Sequence, residues 1–245
     1  MTYSPYQILG EARKGRFLII CDHATARIPP DMGDTLGLPQ ADMSRHIAYD
    51  IGALGVSVAL GEALDAPVIQ SDFSRLVIDP NRGEDDPTLL MRLYDGSIIP
   101  ANRHADETER QRRLDAYHRP YHDALKELAA RRDDTVLVSV HSFTPQLQGR
   151  ARRPWHIGIL HAHDTRLSDP FIDLLEAQPD LTVGRNEPYH GHLPGDTIDR
   201  HALRRGRHNT LIELRNDLIE TPQAQESWGK RLAPMLAQAL AQTKD

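Results

Sequence analysis

Six short runs of apolar, largely β-branched residues recur along the chain: 16–23 (RFLIICDH), 66–71 (APVIQS), 135–142 (TVLVSVHS), 155–163 (WHIGILHAH), 181–186 (LTVGRN) and 209–216 (NTLIELRN). Runs this short, apolar at most positions, predict strands, several of them buried on both faces. A seventh run, 74–82 (SRLVIDPNR), predicts a further strand that Pro80 stops. The intervening segments switch to a helical period. Residues 42–64 place Ile47, Ile51, Leu54 and Val58 at helical spacing. Residues 103–132 do the same with Leu114, Tyr117, Tyr121, Leu125 and Leu128, with a break or kink at Pro120. A short helix is predicted over 168–177 and a long one over 222–242, kinked at Pro234. Strands alternating with helices predict an α/β fold: a single three-layer α/β/α domain over 1–245 with a mostly parallel or mixed central sheet.

Ligands of such sheets gather beyond the carboxyl ends of the strands. The polar residues that follow the apolar runs are Asp22 and His23; Asp79, Asn81 and Arg82; His141 and Ser142; His161 and His163; Asn186 and Glu187; Glu213 and Arg215. Imidazoles, carboxylates and guanidinium groups recur at that position. His23 and His141 are of the type that ligates zinc, and Asp22 is either a ligand or the group that orients a histidine. Each taken alone reads first as an ordinary loop histidine. His46 and Asp50, four apart on the predicted helix, share a face, as a metal-ligand pair or as a surface pair. Arg75 and Arg82 carry guanidinium forks that fit a carboxylate, and Asn81 adds a neutral donor, although Asp-Pro-Asn-Arg is also turn chemistry. Glu213 lies in an apolar run, where a carboxylate needs a partner or a shifted pKa; a general base and an ion pair with Arg215 are the two readings. The HAH (161–163) and HGH (190–192) pairs read best as solvent-facing.

Net charge is −6, which argues against nucleic acid and against an anionic membrane surface. The lone cysteine, Cys21, forms no internal disulfide and reads as a small buried residue at a strand end, although its spacing from His23 leaves a Cys–His pair open. Together with the absence of a signal-like or membrane-length apolar run, this predicts a cytoplasmic location. The oligomeric state is not legible. The basic cluster at 149–154 (GRARRP) reads as a solvated loop or as a lure for an anionic substrate.

The chain resembles the N-formylglutamate amidohydrolase family across residues 15–220. The resemblance rests on CDHATARIP, HIAYDIGA, SDFSRLVIDPNRGEDDPTLL, DGSIIPANR, YHRPYHDAL, VSVHSFTP, NEPYHG and IELRNDLI, in that order. It implies a metal-dependent hydrolase that cleaves the amide of an N-acyl acidic amino acid, N-formyl-L-glutamate above all, into formate and the free amino acid. A more distant similarity to the zinc carboxypeptidases and their acylase relatives implies a fold like theirs. It also implies roles: His141 as a metal ligand, Asn81 and Arg82 on a substrate carboxylate, Glu213 as general base. Those peptidases use a His-x-x-Glu pair, and here the position three after His23 is Ala26, which binds no metal. The ligand set expected for Zn²⁺ or another divalent ion is therefore His23, His141 and Asp50, with Asp22 or His46 as alternatives to Asp50. Arg75 is expected to stabilise charge on the carbonyl oxygen and Arg215 to add a contact to the substrate. Ala26 also stands where the family resemblance leads one to expect Asn. Two other readings stay open: a hydrolase of another N-acyl amino acid or small peptide, and a binding protein for acidic amino acids that has lost catalysis.

Overall fold

A computed structural model describes residues 3–243. Its main sheet has seven strands: β1 (Tyr6–Leu9), β2 (Phe17–Cys21), β3 (Val68–Ser71), β6 (Val136–Phe143), β7 (Ile157–Leu160), β8 (Val183–Arg185) and β9 (Asn209–Arg215). Their order is β1-β3-β2-β6-β9-β7-β8. The four central strands, β3, β2, β6 and β9, run parallel; β1 is antiparallel to β3, and β7 is antiparallel to β9. The sheet is thus mixed, as its apolar runs predict. A small hairpin, β4 (Leu93–Tyr94) with β5 (Ser97–Ile98), stands apart. No helix among the described residues is long and apolar enough to cross a membrane.

Alternation along the strands sorts side chains to two cores. Ile19, Cys21, Val136, Val138, Val140, Ile212 and Leu214 join one, which is closed by α1 (Ala53–Ala63), α5 (Ser168–Glu176) and α7 (Pro222–Gln242). Leu18, Ile20 and Leu137 point to the other. That second layer holds Phe73–Ile78, α2 (Pro100–Arg103), α3 (Glu107–Arg113) and α4 (Arg119–Ala129), joined by a π-helical turn, Leu114–His118. Toward the carboxyl end of the strands the second face changes character. After Leu137, β6 presents Ser139 and His141 there, and β9 presents Glu213, directly beside His141 in the parallel register.

Three expected elements come out differently. Residues 42–64 do not form one helix: a 3₁₀ turn (Gln40–Ser44) and further turns precede α1, and Gly52 enters it at φ 79°. A side chain on Gly52 would also strike the carbonyl of Ile219 at 2.3 Å, so glycine is required twice over and the helix starts late. His46 and Asp50 therefore meet across turns, not along a helix face.

Residues 74–81 are buried and Arg82 is half-buried, but residues 74–82 form no strand. Their backbone groups are satisfied from outside the segment: Ser74 N–H donates to Arg27 O (2.7 Å), Asp79 N–H to Leu89 O (2.9 Å), and the Leu76 and Val77 carbonyls accept from Asn102 Nδ2 and Arg113 Nη1 (2.8 Å each). The helix expected over 103–132 starts only at Glu107, and the break expected at Pro120, which has no N–H to give to a regular ladder, is the π-helical turn that precedes it. By contrast α7 runs unbroken through Pro234.

Candidate metal centre and carboxylate clamp

The candidate side chains sit where the four parallel strands end. His23 lies just past β2, His141 near the end of β6, and Glu213 on β9. Asp50 comes from the turn before α1, held there by its N–H donating to the carbonyl of His23 at 2.9 Å. Its Oδ2 lies 3.3 Å from His23 Nδ1 and 2.9 Å from His141 Nδ1. One ligand atom from each of His23, Asp50 and His141 falls within 4.8 Å of the other two, and all three residues are buried.

The outer ring nitrogens are engaged elsewhere. His23 Nε2 is 2.6 Å from Asp79 Oδ1. His141 Nε2 lies 3.0 Å from the Ser139 hydroxyl and 3.4 Å from Asp22 Oδ2. Asp79 only accepts, so His23 carries its proton on Nε2; the Ser139 hydroxyl, with Asp22 to donate to, sets the same tautomer in His141. Both rings then turn Nδ1 toward one carboxylate oxygen. Three electron-pair donors facing one point call for a cation between them, either a proton or a metal ion. Zinc-type chemistry fits this donor set of two imidazoles and one carboxylate.

The electrostatics agree. Burial alone would lower His141, but the Asp22 and Asp50 carboxylates outweigh it and lift the ring to about 10, so without a metal a proton fills the gap. Burial opposes ionisation of Asp50 and Asp79 as well. His23 and His141 nevertheless hold Asp50 well below the usual carboxylate range, and Arg75 and His23 do the same for Asp79. Asp22 is not in the ring gap. It accepts from the hydroxyls of Tyr121 and Thr197, 2.8 Å each, and backs His141 from behind. His46 Nδ1 reaches only the far oxygen of Asp50, at 3.5 Å.

A cleft of about 580 Å³ opens over this group. Its walls include His23, His46, Asp50, Arg75, Asn81, Arg82, His141 and Glu213. Burial, with the Asp50 charge adding and His141 opposing, raises Glu213 to about 8. Glu213 Oε2 is buried with no hydrogen-bond partner. The ion pair with Arg215 that the sequence leaves open is not made. Arg215 is turned to Asp217 (2.7 Å) and to the carbonyls of Arg153, Pro154 and Trp155, and it does not line the cleft.

Arg75 is fixed by Asp79 (2.9 Å) and Asp50 (3.5 Å), with its guanidinium over the Tyr94 ring and its Nε free of a partner. Asn81 Oδ1 accepts from the Thr197 N–H at 3.2 Å, which leaves the amide NH₂ as the free donor. Cys21 is packed in the apolar core, where burial pushes its thiol up, so it offers no nucleophile. Among residues with no sequence signal of their own, Tyr94, Leu160, Tyr189, Leu193 and Leu211 complete the walls. Tyr189 was legible only as part of the NEPYHG stretch. His190 of the HGH pair stands exposed at the rim, whereas His161 turns its ring to the Ala162 carbonyl and is not part of the cleft.

The fold and this centre define a class: α/β proteins whose buried polar site lies beyond the ends of parallel strands, with imidazole and carboxylate ligands gathered from distant segments. Comparison with known proteins narrows it. The family model for N-formylglutamate amidohydrolase matches residues 15–220, and the chain belongs to that amidohydrolase family. A gene product from Agrobacterium tumefaciens is 39% identical, with a TM-score of 0.92 over 98% of this chain and 96% of its own. The N-formylglutamate amidohydrolase from Ralstonia eutropha JMP134 shares the fold at 21% identity, with a TM-score of 0.74 over 98% of both chains. No functionally curated protein matches the chain.

Proposed function

We propose that this family member is a divalent-metal-dependent amidohydrolase of N-acyl acidic amino acids, with N-formyl-L-glutamate as the first substrate to test. One observation carries the reading. A buried, unpartnered carboxylate raised to about 8, Glu213, shares a cleft with a three-donor cation nest and with the Asn81–Arg82 donors.

His23, His141 and Asp50 would hold the ion. A divalent ion there supplies Lewis acidity, polarising the scissile carbonyl and lowering the pKa of water. The chain does the rest. Asn81 Nδ2 and the Arg82 guanidinium bind a substrate carboxylate and so fix the carbonyl against the nest. Glu213 takes a proton from the attacking water and returns it to the amide nitrogen as the C–N bond breaks, for which a pKa near neutrality is well matched. Arg75 places a fixed positive charge in the wall, where negative charge grows on the carbonyl oxygen.

Steady-state kinetics on N-formyl-L-glutamate test the assignment. Glu213→Gln should lower kcat by about 10² or more, on the usual range for acid–base groups. Arg82→Ala should raise KM by about tenfold or more with a smaller change in kcat, as expected for loss of a charged hydrogen bond to substrate. A Glu213→Gln enzyme with near-normal turnover removes the general base, and full activity in metal-free protein removes the ion. Substrates carrying N-acetyl or N-succinyl groups, run in parallel, define the acyl preference.

A further inference from the structure

The Asn81–Arg82 donors lie in a segment with no strand ladder to hold it, so something else must set their aim. Behind the segment stand three buried histidines that the proposed chemistry does not use. His118 ends the π-helical turn and His122 follows one turn later in α4. His118 Nε2 lies 3.0 Å from the Arg82 carbonyl, and His122 Nε2 lies 2.9 Å from the Pro80 carbonyl. These are the two carbonyls that flank Asn81–Arg82. A carbonyl only accepts, so both rings carry their proton on Nε2. His122 Nδ1 is then an acceptor, and His201 Nε2 donates to it at 2.9 Å. The rings pack in a column, with centroids 4.4 Å apart for His118–His122 and 5.1 Å for His122–His201. Burial keeps His118 and His201 neutral, at about 4 and about 3, so both act as uncharged donors at neutral pH.

We propose that His118 and His122, with His201 locking the tautomer of His122, are positioning residues that aim Asn81 and Arg82 at the substrate carboxylate. The inference rests on reading Asn81–Arg82 as the carboxylate clamp. From the other sides Asp79 Oδ1 accepts from the Asn81 N–H at 2.9 Å and Thr197 fixes the Asn81 amide. The Arg82 guanidinium bonds to its neighbour's carbonyl at 2.8 Å and to Thr88 Oγ1 at 3.1 Å. The two histidine donors supply the support from behind. Losing either lets a carbonyl rotate and carries the adjoining donor off its line, and small displacements of a positioning group are costly in rate and affinity.

The test uses zinc-loaded full-length protein and succinate, a dicarboxylate probe whose binding is read by calorimetry without turnover. Glutamine places an amide N–H near the position of His Nε2, whereas the shorter asparagine cannot reach the carbonyl. His118→Asn and His122→Asn should each weaken succinate binding by about tenfold, the cost of one charged contact misaligned. They should also raise KM for N-formyl-L-glutamate by a similar factor, with kcat within about twofold. His118→Gln and His122→Gln should restore both values to within about threefold, a rescue that general loosening of the fold does not give.

Folded asparagine variants with wild-type succinate affinity overturn the inference, as do folded glutamine variants as impaired as the asparagine ones. Should the asparagine variants not fold, ¹⁵N-histidine spectra of the wild type decide: succinate must shift the His118 and His122 Nε2–H signals, and unchanged signals at saturation overturn the inference. Arg82→Ala separates the two levels. If it leaves succinate binding intact, the clamp assignment itself is wrong; if it weakens binding and the histidine variants do not, only the positioning role falls.

Discussion

Two groups of histidines are buried on the same side of the sheet, and their neighbours divide them. His23 and His141 are surrounded by carboxylates, with Asp79, Asp50 and Asp22 within 2.6 to 3.4 Å of ring nitrogens. His118 and His122 bond to backbone carbonyls, His122 and His201 bond to each other, and among the described residues none of the three pairs with a carboxylate. The same side chain therefore behaves in opposite ways. His141 is lifted to about 10, because burial is outweighed by Asp22 and Asp50. His118 falls to about 4, because burial is offset only weakly. Carboxylates in direct contact make the first group a place for a cation; in the second, burial outweighs the more distant carboxylates and leaves a neutral scaffold.

The comparison can be broken most directly at His141. Replacing it by Ala should remove ion binding and cut activity by roughly 10³ or more, the worth of several kcal/mol of Lewis-acid assistance. Metal analysis and kinetics on the same preparation check this, and a metal-replete, active His141→Ala protein would place the ion elsewhere. Asp79→Asn should act less strongly. It keeps the volume but removes the acceptor charge on His23 Nε2, and loss of such an outer carboxylate lowers metal affinity by about 10- to 100-fold. A competition titration against a chromophoric chelator reads the change.

The smallest effect sharpens the contrast through its sign. At His118 the folded pKa, about 4, lies below the unfolded value of 6.5. Between those values the unfolded chain binds a proton that the folded chain refuses, so stability falls as pH falls; above 6.5 both states are neutral and the term vanishes. His118→Gln should flatten the acid slope by up to about 1.4 kcal/mol per pH unit, the linkage limit for one proton. At His141 in metal-free protein the folded pKa is raised. Its contribution is complete below pH 6.5 and is lost as pH climbs towards about 10. Added zinc should abolish that alkaline loss. Urea melts across pH, with and without zinc, measure both slopes.

Much of this was readable from residue order. Polar residues at the ends of apolar runs marked His23, Asn81, Arg82, His141 and Glu213. The Ala26 departure left the third ligand open among Asp50, Asp22 and His46, and the structure puts Asp50 between the two rings. The segment 74–82 has the composition of a strand and forms none, because a buried loop and a buried strand are equally apolar; what separates them is where the backbone bonds go, and local sequence does not carry that. Arg215 was misplaced for a related reason. A guanidinium near a strand end can turn to the cleft or to its own flank, and Asp217 decides the matter at 2.7 Å.

The sequence by itself determined the alternation of strands and helices and the residue types available at the strand ends, because periodicity and polarity are local properties of the chain. Tertiary structure alone decided that Asp50 reaches between rings 27 and 91 residues away, that Asp79 and Asp22 stand behind those rings, and that the Nε2 atoms of His118 and His122 meet backbone carbonyls. The proton affinity of a buried histidine depends on which charges lie within a few ångströms, and that proximity exists only once the chain has folded.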